Sequence, residues 1–82
     1  MENQFFVLQA ELKTGHVLKK DLTIFTSGGD MSEVYQIFET KIQGIEYAKL
    51  KQSENPEIEY WVNDSNNQTI FYISKNETKY YD

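Results

Sequence analysis

Four stretches of this chain read as extended backbone, three of them because side-chain character changes at every second residue, a period that a helix does not satisfy. In QFFVLQAEL (residues 4–12), Phe6, Leu8, Ala10 and Leu12 share one face, and Phe5, Val7, Gln9 and Glu11 the other. In EIEYWVND (57–64), Ile58, Tyr60 and Val62 point one way, and Glu57, Glu59, Trp61 and Asn63 the other. QTIFYISK (68–75) is a third β-rich run, separated from the second by the turn sequence DSNNQ. These two predict a hairpin. The first run has a partner as well. After KTGH comes HVLKKDLTIFT, with Leu18, Leu22 and Ile24 on one face and Val17, Lys19, Asp21, Thr23 and Phe25 on the other. Two such runs around a short glycine turn predict a second hairpin.

The middle of the chain has a different spacing. Met31, Val34, Tyr35, Phe38 and Ile42 recur at intervals of three and four, with Ile37 at the edge of the stripe. Asp30 suits an N-cap, with Glu33 completing a capping box and Ser32 as a competing cap, and Gly44 suits a helix end. The spacing predicts a helix over 31–43 with Phe38 mid-stripe, against the sheet. IEYAKLKQ (45–52) reads as a strand or as a frayed extension of that helix. SENPE is a turn, because Pro56 biases Asn55 away from helix. KNETKYYD makes a polar C-terminal tail from about residue 75.

The expected fold is α+β: a small, mainly antiparallel sheet in the order β-β-α-β-β-β or β-β-α-β-β, with one helix packed on one face. Residues 1–82 form one domain. Without cysteine, this 82-residue chain has no disulfide to staple its fold and no thiolate to bind a metal.

Several functions are disfavoured by the same residues. No run reaches the roughly 20 apolar residues of a membrane helix. The acidic start MENQFFVLQAEL is no signal peptide, so a cytoplasmic location is expected. Net charge is −5, and all eight basic residues are lysine. That balance repels nucleic acid and anionic membranes, and it lacks the guanidinium fork that grips phosphate or guanine. The abundance of Asn, Ile, Lys, Tyr and Phe points to an A+T-rich genome, such as that of a low-GC bacterium or one of its mobile elements.

Candidate chemistry is sparse. Ser27-Gly28-Gly29 precedes the predicted helix, where a phosphate loop would lie. But Asp30 and Glu33 follow, and both would repel a phosphate and compete for the same N–H groups, so a bend is expected. His16, the single histidine, reads as an exposed turn residue. Glu57 and Glu59 stand about 6.5–7 Å apart on a strand, a spacing a glycosidase uses, but so short a chain offers no cleft to hold a sugar. Asp64, Asn66 and Asn67 read as turn chemistry, since the spaced acids of a calcium loop are missing. No enzyme activity, metal or cofactor is expected.

The informative excess is aromatic: one tryptophan, six tyrosines and five phenylalanines. One helix covers one sheet face, yet apolar residues occupy both. Phe6, Leu8, Leu18, Leu22, Ile24, Ile58, Tyr60 and Val62 are assigned to the helix side. Phe5, Val7, Phe25, Trp61 and either Ile70/Tyr72 or Phe71/Ile73 are then left for the uncovered side, rimmed by Glu57, Glu59, Asn63 and Lys19. Such a patch marks an interface. The expectation is a small protein-binding module, an adaptor or inhibitor, using Trp61, Phe5, Val7, Glu57, Glu59 and Tyr72 against another protein or a second copy of itself. The alternatives are a module that stacks single-stranded nucleic acid on its surface aromatics and an uncharacterised small enzyme.

Overall fold

A computed structural model of the chain describes residues 4–26 and 28–81. Strand β1 spans Phe5–Glu11, β2 Val17–Leu18 and β3 Gln36–Phe38. Helix α1 spans Lys41–Glu54, and β4 (Ile58–Asn63), β5 (Thr69–Ile73) and β6 (Thr78–Tyr80) follow it. A 3-10 turn at Met31–Glu33 precedes β3. The sheet runs β2–β1–β4–β5–β6, and β3 also pairs with β1. Every pairing is antiparallel. The α+β class and the one-helix architecture are therefore as expected.

The first turn closes with Gly15 at φ 79°, its N–H donating to the Glu11 carbonyl. That left-handed backbone suits a residue without Cβ. Beyond it the second run keeps only two strand residues, plus a bridge from Leu18 to Ile24. Leu22 and Ile24, expected in the core, are exposed. Leu22 sits at φ 69°, on a bend where Thr23 hydrogen-bonds the Asp21 carboxylate, and the alternation breaks there.

The helix lies further along than its spacing predicts. Residues 34–38 (VYQIF) are β-branched or aromatic at four of five places, and β1 offers them an open edge. They take it as β3, pairing Phe5 with Phe38, Phe6 with Ile37 and Val7 with Gln36. Phe38 is thus half-buried on a strand, its ring 5.1 Å from Tyr47 of α1. Helix formation waits for Thr40, whose Oγ1 accepts the Gln43 N–H as N-cap. The segment 45–52 is helical, and α1 stops at Asn55 before Pro56. Gly44, expected as a helix terminator, lies in the first turn of α1 and is buried. A Cβ there would stand 3.3 Å from Val62 Cγ1 and 3.7 Å from Val7 Cγ2. Its bare backbone lets the helix rest close on the sheet.

The core between α1 and the sheet holds Val7, Ile45, Ala48, Tyr60, Val62 and Phe71, with Phe5, Phe38, Tyr47, Ile58 and Ile73 at its margin. In an antiparallel pair, directly opposed residues share a face. Val7 opposes Val62, which opposes Phe71, so all three face the helix. This inverts the expectation for β1: Phe5 and Val7 belong to the helix side, and Phe6 and Leu8 to the other. Gln9 falls on the helix side too and is 2% exposed. Its Nε2 donates to the carbonyls of Leu18 and Val34, each at 2.6 Å, so the buried amide ties β2 and the segment before β3 to β1. The expected polar tail forms the edge strand β6, on which Tyr80 stacks edge-on with Phe71 at 4.9 Å.

Candidate functional site

The face away from α1 is built from one cross-strand row. Leu8 on β1 opposes Trp61 on β4, Trp61 opposes Tyr72 on β5, and Tyr72 opposes Lys79 on β6. With strands about 4.8 Å apart, the row extends roughly 14–15 Å. Beside it Ile37 opposes Phe6, which opposes Asn63. On the far flank Val17 opposes Ala10, which opposes Glu59. Phe6, Leu8, Trp61 and Tyr72 are each half-buried, while Ile37 is exposed. Tyr35 packs edge-to-face on Phe6 with ring centres 5.1 Å apart, fixing that corner.

The polar groups here are held in place. The Tyr72 hydroxyl donates to Glu59 Oε1 at 2.6 Å. Burial, and next the hydrogen bond to the Glu59 carboxylate, raise the phenol above its ordinary pKa. Asn63 is buried, donating to Asn67 and accepting from the Thr69 hydroxyl. Glu57, at the sheet end, forms an ion pair with Lys75 at 3.1 Å. Lys19 pairs with Glu33 at 3.3 Å.

Three of the six expected contact residues, Trp61, Tyr72 and Glu59, therefore meet on one face. Glu57 lies at its border. Phe5 and Val7 do not reach it, because their register turns them into the core, where Val7 is 0% exposed. Phe6, Leu8 and Ile37 stand in their place. No local signal distinguishes the two sets: both faces of β1 are apolar, and only pairing with distant β4 decides which meets the helix.

The other candidates resolve simply. Gly28 and Gly29 lie on the loop before the 3-10 turn, and Ser27 is outside the described residues. The Asp30 carboxylate accepts the Ser32 N–H, and that bond holds it below its usual pKa. His16 is exposed. Asp64 Oδ1 accepts the N–H groups of Asn66 and Gln68, and Asn67 takes φ 64°, the expected turn chemistry. A shallow cavity of about 340 Å³ is lined by Lys19, Lys20, Asp21, Ser32 and Glu33. Its charged lining is partly neutralised by the Lys19–Glu33 pair. Among the described residues no His, Cys, Asp and Glu cluster could hold a metal, and no helix is long and apolar enough to cross a membrane.

Compared with known proteins, the chain matches no family model, no curated protein sequence and no solved structure.

Proposed function

We propose that this chain is a cytoplasmic protein-binding module, an adaptor or inhibitor in kind, that docks through the sheet face centred on Trp61. The observation that supports this reading is the Leu8–Trp61–Tyr72 row on the face opposite the helix. Flanked by Phe6 and Ile37, it forms a contiguous apolar surface of the sort that anchors partners. Tyrosine and tryptophan suit the task, since each offers a large rigid surface with a polar tip. The fitting partner is another protein, or a second copy of this chain, that offers an apolar pocket to the row; the charges at its border are already engaged, Glu57 with Lys75 and Glu59 with the Tyr72 hydroxyl.

Capture from lysate with parent and Trp61→Ala baits tests the reading, followed by calorimetry on the purified partner. A partner that the parent holds, and that Trp61→Ala holds roughly 30-fold less tightly, is the expected result. Circular dichroism should show both baits folded alike. Equal affinity for the two baits would refute the docking face.

A further inference from the structure

We infer that the edge at β6 is self-pairing: two copies of this chain join antiparallel through residues 77–79, about a two-fold axis at Thr78. Among the described residues β6 pairs only with β5, and Thr78, Lys79 and Tyr80 are all exposed. The direction of its free hydrogen-bonding groups follows from the register. The Ser74 N–H donates to the Glu77 carbonyl, and the Tyr81 N–H donates to the Ile70 carbonyl. Tyr72 opposes Lys79 between these pairs. Hydrogen-bonded pairs alternate along an antiparallel ladder, so Glu77, Lys79 and Tyr81 spend their backbone groups on β5. The N–H and C=O of Thr78 and Tyr80 then point outward, unpaired, along the open edge.

Side-chain charge suits a second copy as occupant and disfavours an axis at Lys79 or at Glu77. An axis through Thr78 sets each Glu77 against Lys79 of the other copy and Thr78 against Thr78. Both are favourable cross-strand pairs, and the ion pairs fall at the closely spaced, non-hydrogen-bonded positions. Moving the axis to Lys79 would oppose two lysines. Moving it to Glu77 would oppose two glutamates and also set Lys79 against Lys75. A lysine on a short edge ordinarily discourages pairing. Here the acid two residues away converts that deterrent into a register lock. Within one copy Lys79 Nζ already lies 3.6 Å from Glu77 Oε1, on the outer face with Tyr72. Both side chains are therefore aligned for exchange between copies. The opposite edge lacks this design, being split between the short strands β2 and β3.

Such a two-fold stands perpendicular to the sheet. It keeps both helices on one side and brings two Trp61 rows side by side on the other. The inference does not depend on what docks on those rows.

Sedimentation velocity over a concentration series tests it with the whole chain. The parent should dimerise. Lys79→Glu or Glu77→Lys should each weaken the dimer about tenfold or more, since two cross-strand pairs change sign at once. The double variant Glu77→Lys/Lys79→Glu should restore affinity to within about threefold of the parent, because the exchanged charges still match. Thr78→Pro should abolish the dimer without removing a β5–β6 bond, since that N–H points outward. If Thr78→Pro does not fold, the charge exchange decides alone. A parent that stays monomeric to about 1 mM would overturn the inference. So would a dimer indifferent to the charge reversals, or one lost with Trp61→Ala and kept with Lys79→Glu.

Discussion

Gln9 offers the sharpest test of how this small sheet is held together. Its amide is 2% exposed and spends both hydrogens, at 2.6 Å each, on the carbonyls of Leu18 and Val34. Gln9→Met keeps the length and removes both donors. Each net hydrogen bond is worth about 1 kcal/mol, and each carbonyl left short of a donor costs up to about 3 kcal/mol. The expected loss is about 2–4 kcal/mol. A chain of this size has about 4–12 kcal/mol to lose. The melting temperature should fall by roughly 10–25 °C. Gln9→Glu should be worse at neutral pH, because a carboxylate would face two carbonyl oxygens. Folding would favour its protonated form and raise its pKa above the unfolded value of about 4.3. The variant is then least compromised below that value and loses stability as pH rises through the folded pKa. Calorimetric melts of the three proteins at pH 4 and 7 measure this directly. Hydrogen exchange should locate the loosening in residues 19–35. Were Gln9→Met to melt within a few degrees of the parent, or Gln9→Glu to match Gln9→Met at pH 7, the clamp would carry none of the stability assigned to it.

Phe71 is 0% exposed at the centre of the core, so Phe71→Ala should cost about 3–5 kcal/mol by urea denaturation and leave little folded protein at 37 °C. Tyr72 should titrate above the ordinary tyrosine value near pH 10, and Glu59→Gln should lower it, as read by phenolate absorbance. A raised folded pKa means the stability from the neutral phenol is full below about pH 10 and is lost as pH rises through the folded value; Glu59→Gln should flatten that loss. Fluorescence anisotropy with single- and double-stranded oligonucleotides should detect no micromolar binding in ordinary salt, given a net charge of −5 and no arginine.

Alternation marked β4 clearly, but in HVLKKDLTIFT it left only Val17–Leu18 as strand. EIEYWVND gave both β4 and the orientation of Trp61, whose neighbours Tyr60 and Val62 do face the helix. The helix was harder to read because the buried side of α1 is mostly small. It buries Gly44, Ile45 and Ala48, while Ile42 is 70% and Leu50 is 56% exposed. Close approach to the sheet demands small residues on the inner side, so the stripe that hydropathy seeks is missing there. A similar stripe appears at residues 31–42 only because VYQIF satisfies both periods, and the open edge of β1 decides between them. The β1 face assignment failed for the same non-local reason: Val7 and Leu8 are equally apolar, and the register with β4 chooses. Strand β6 was hard to read because it is a three-residue edge with every residue exposed, although Tyr80 lies on the Phe71 side.

The pairing of β1 with β4 also sets the order in which the molecule can assemble. These two strands form the middle of the sheet, yet Val7 and Val62 meet across most of the length of the chain. Closing so large a loop costs entropy that no local contact offsets. By contrast α1, β4, β5 and β6 follow one another with short connections and share Ala48, Tyr60 and Phe71. Contact order therefore predicts the C-terminal half as the nucleus and β1 as the late arrival that completes the core. Only then do β2 and β3 have an edge to join, and only then does Leu8 reach Trp61. The Trp61–Tyr72 part of the apolar row therefore forms with the β4–β5 hairpin, and the docking of β1 completes it with Leu8.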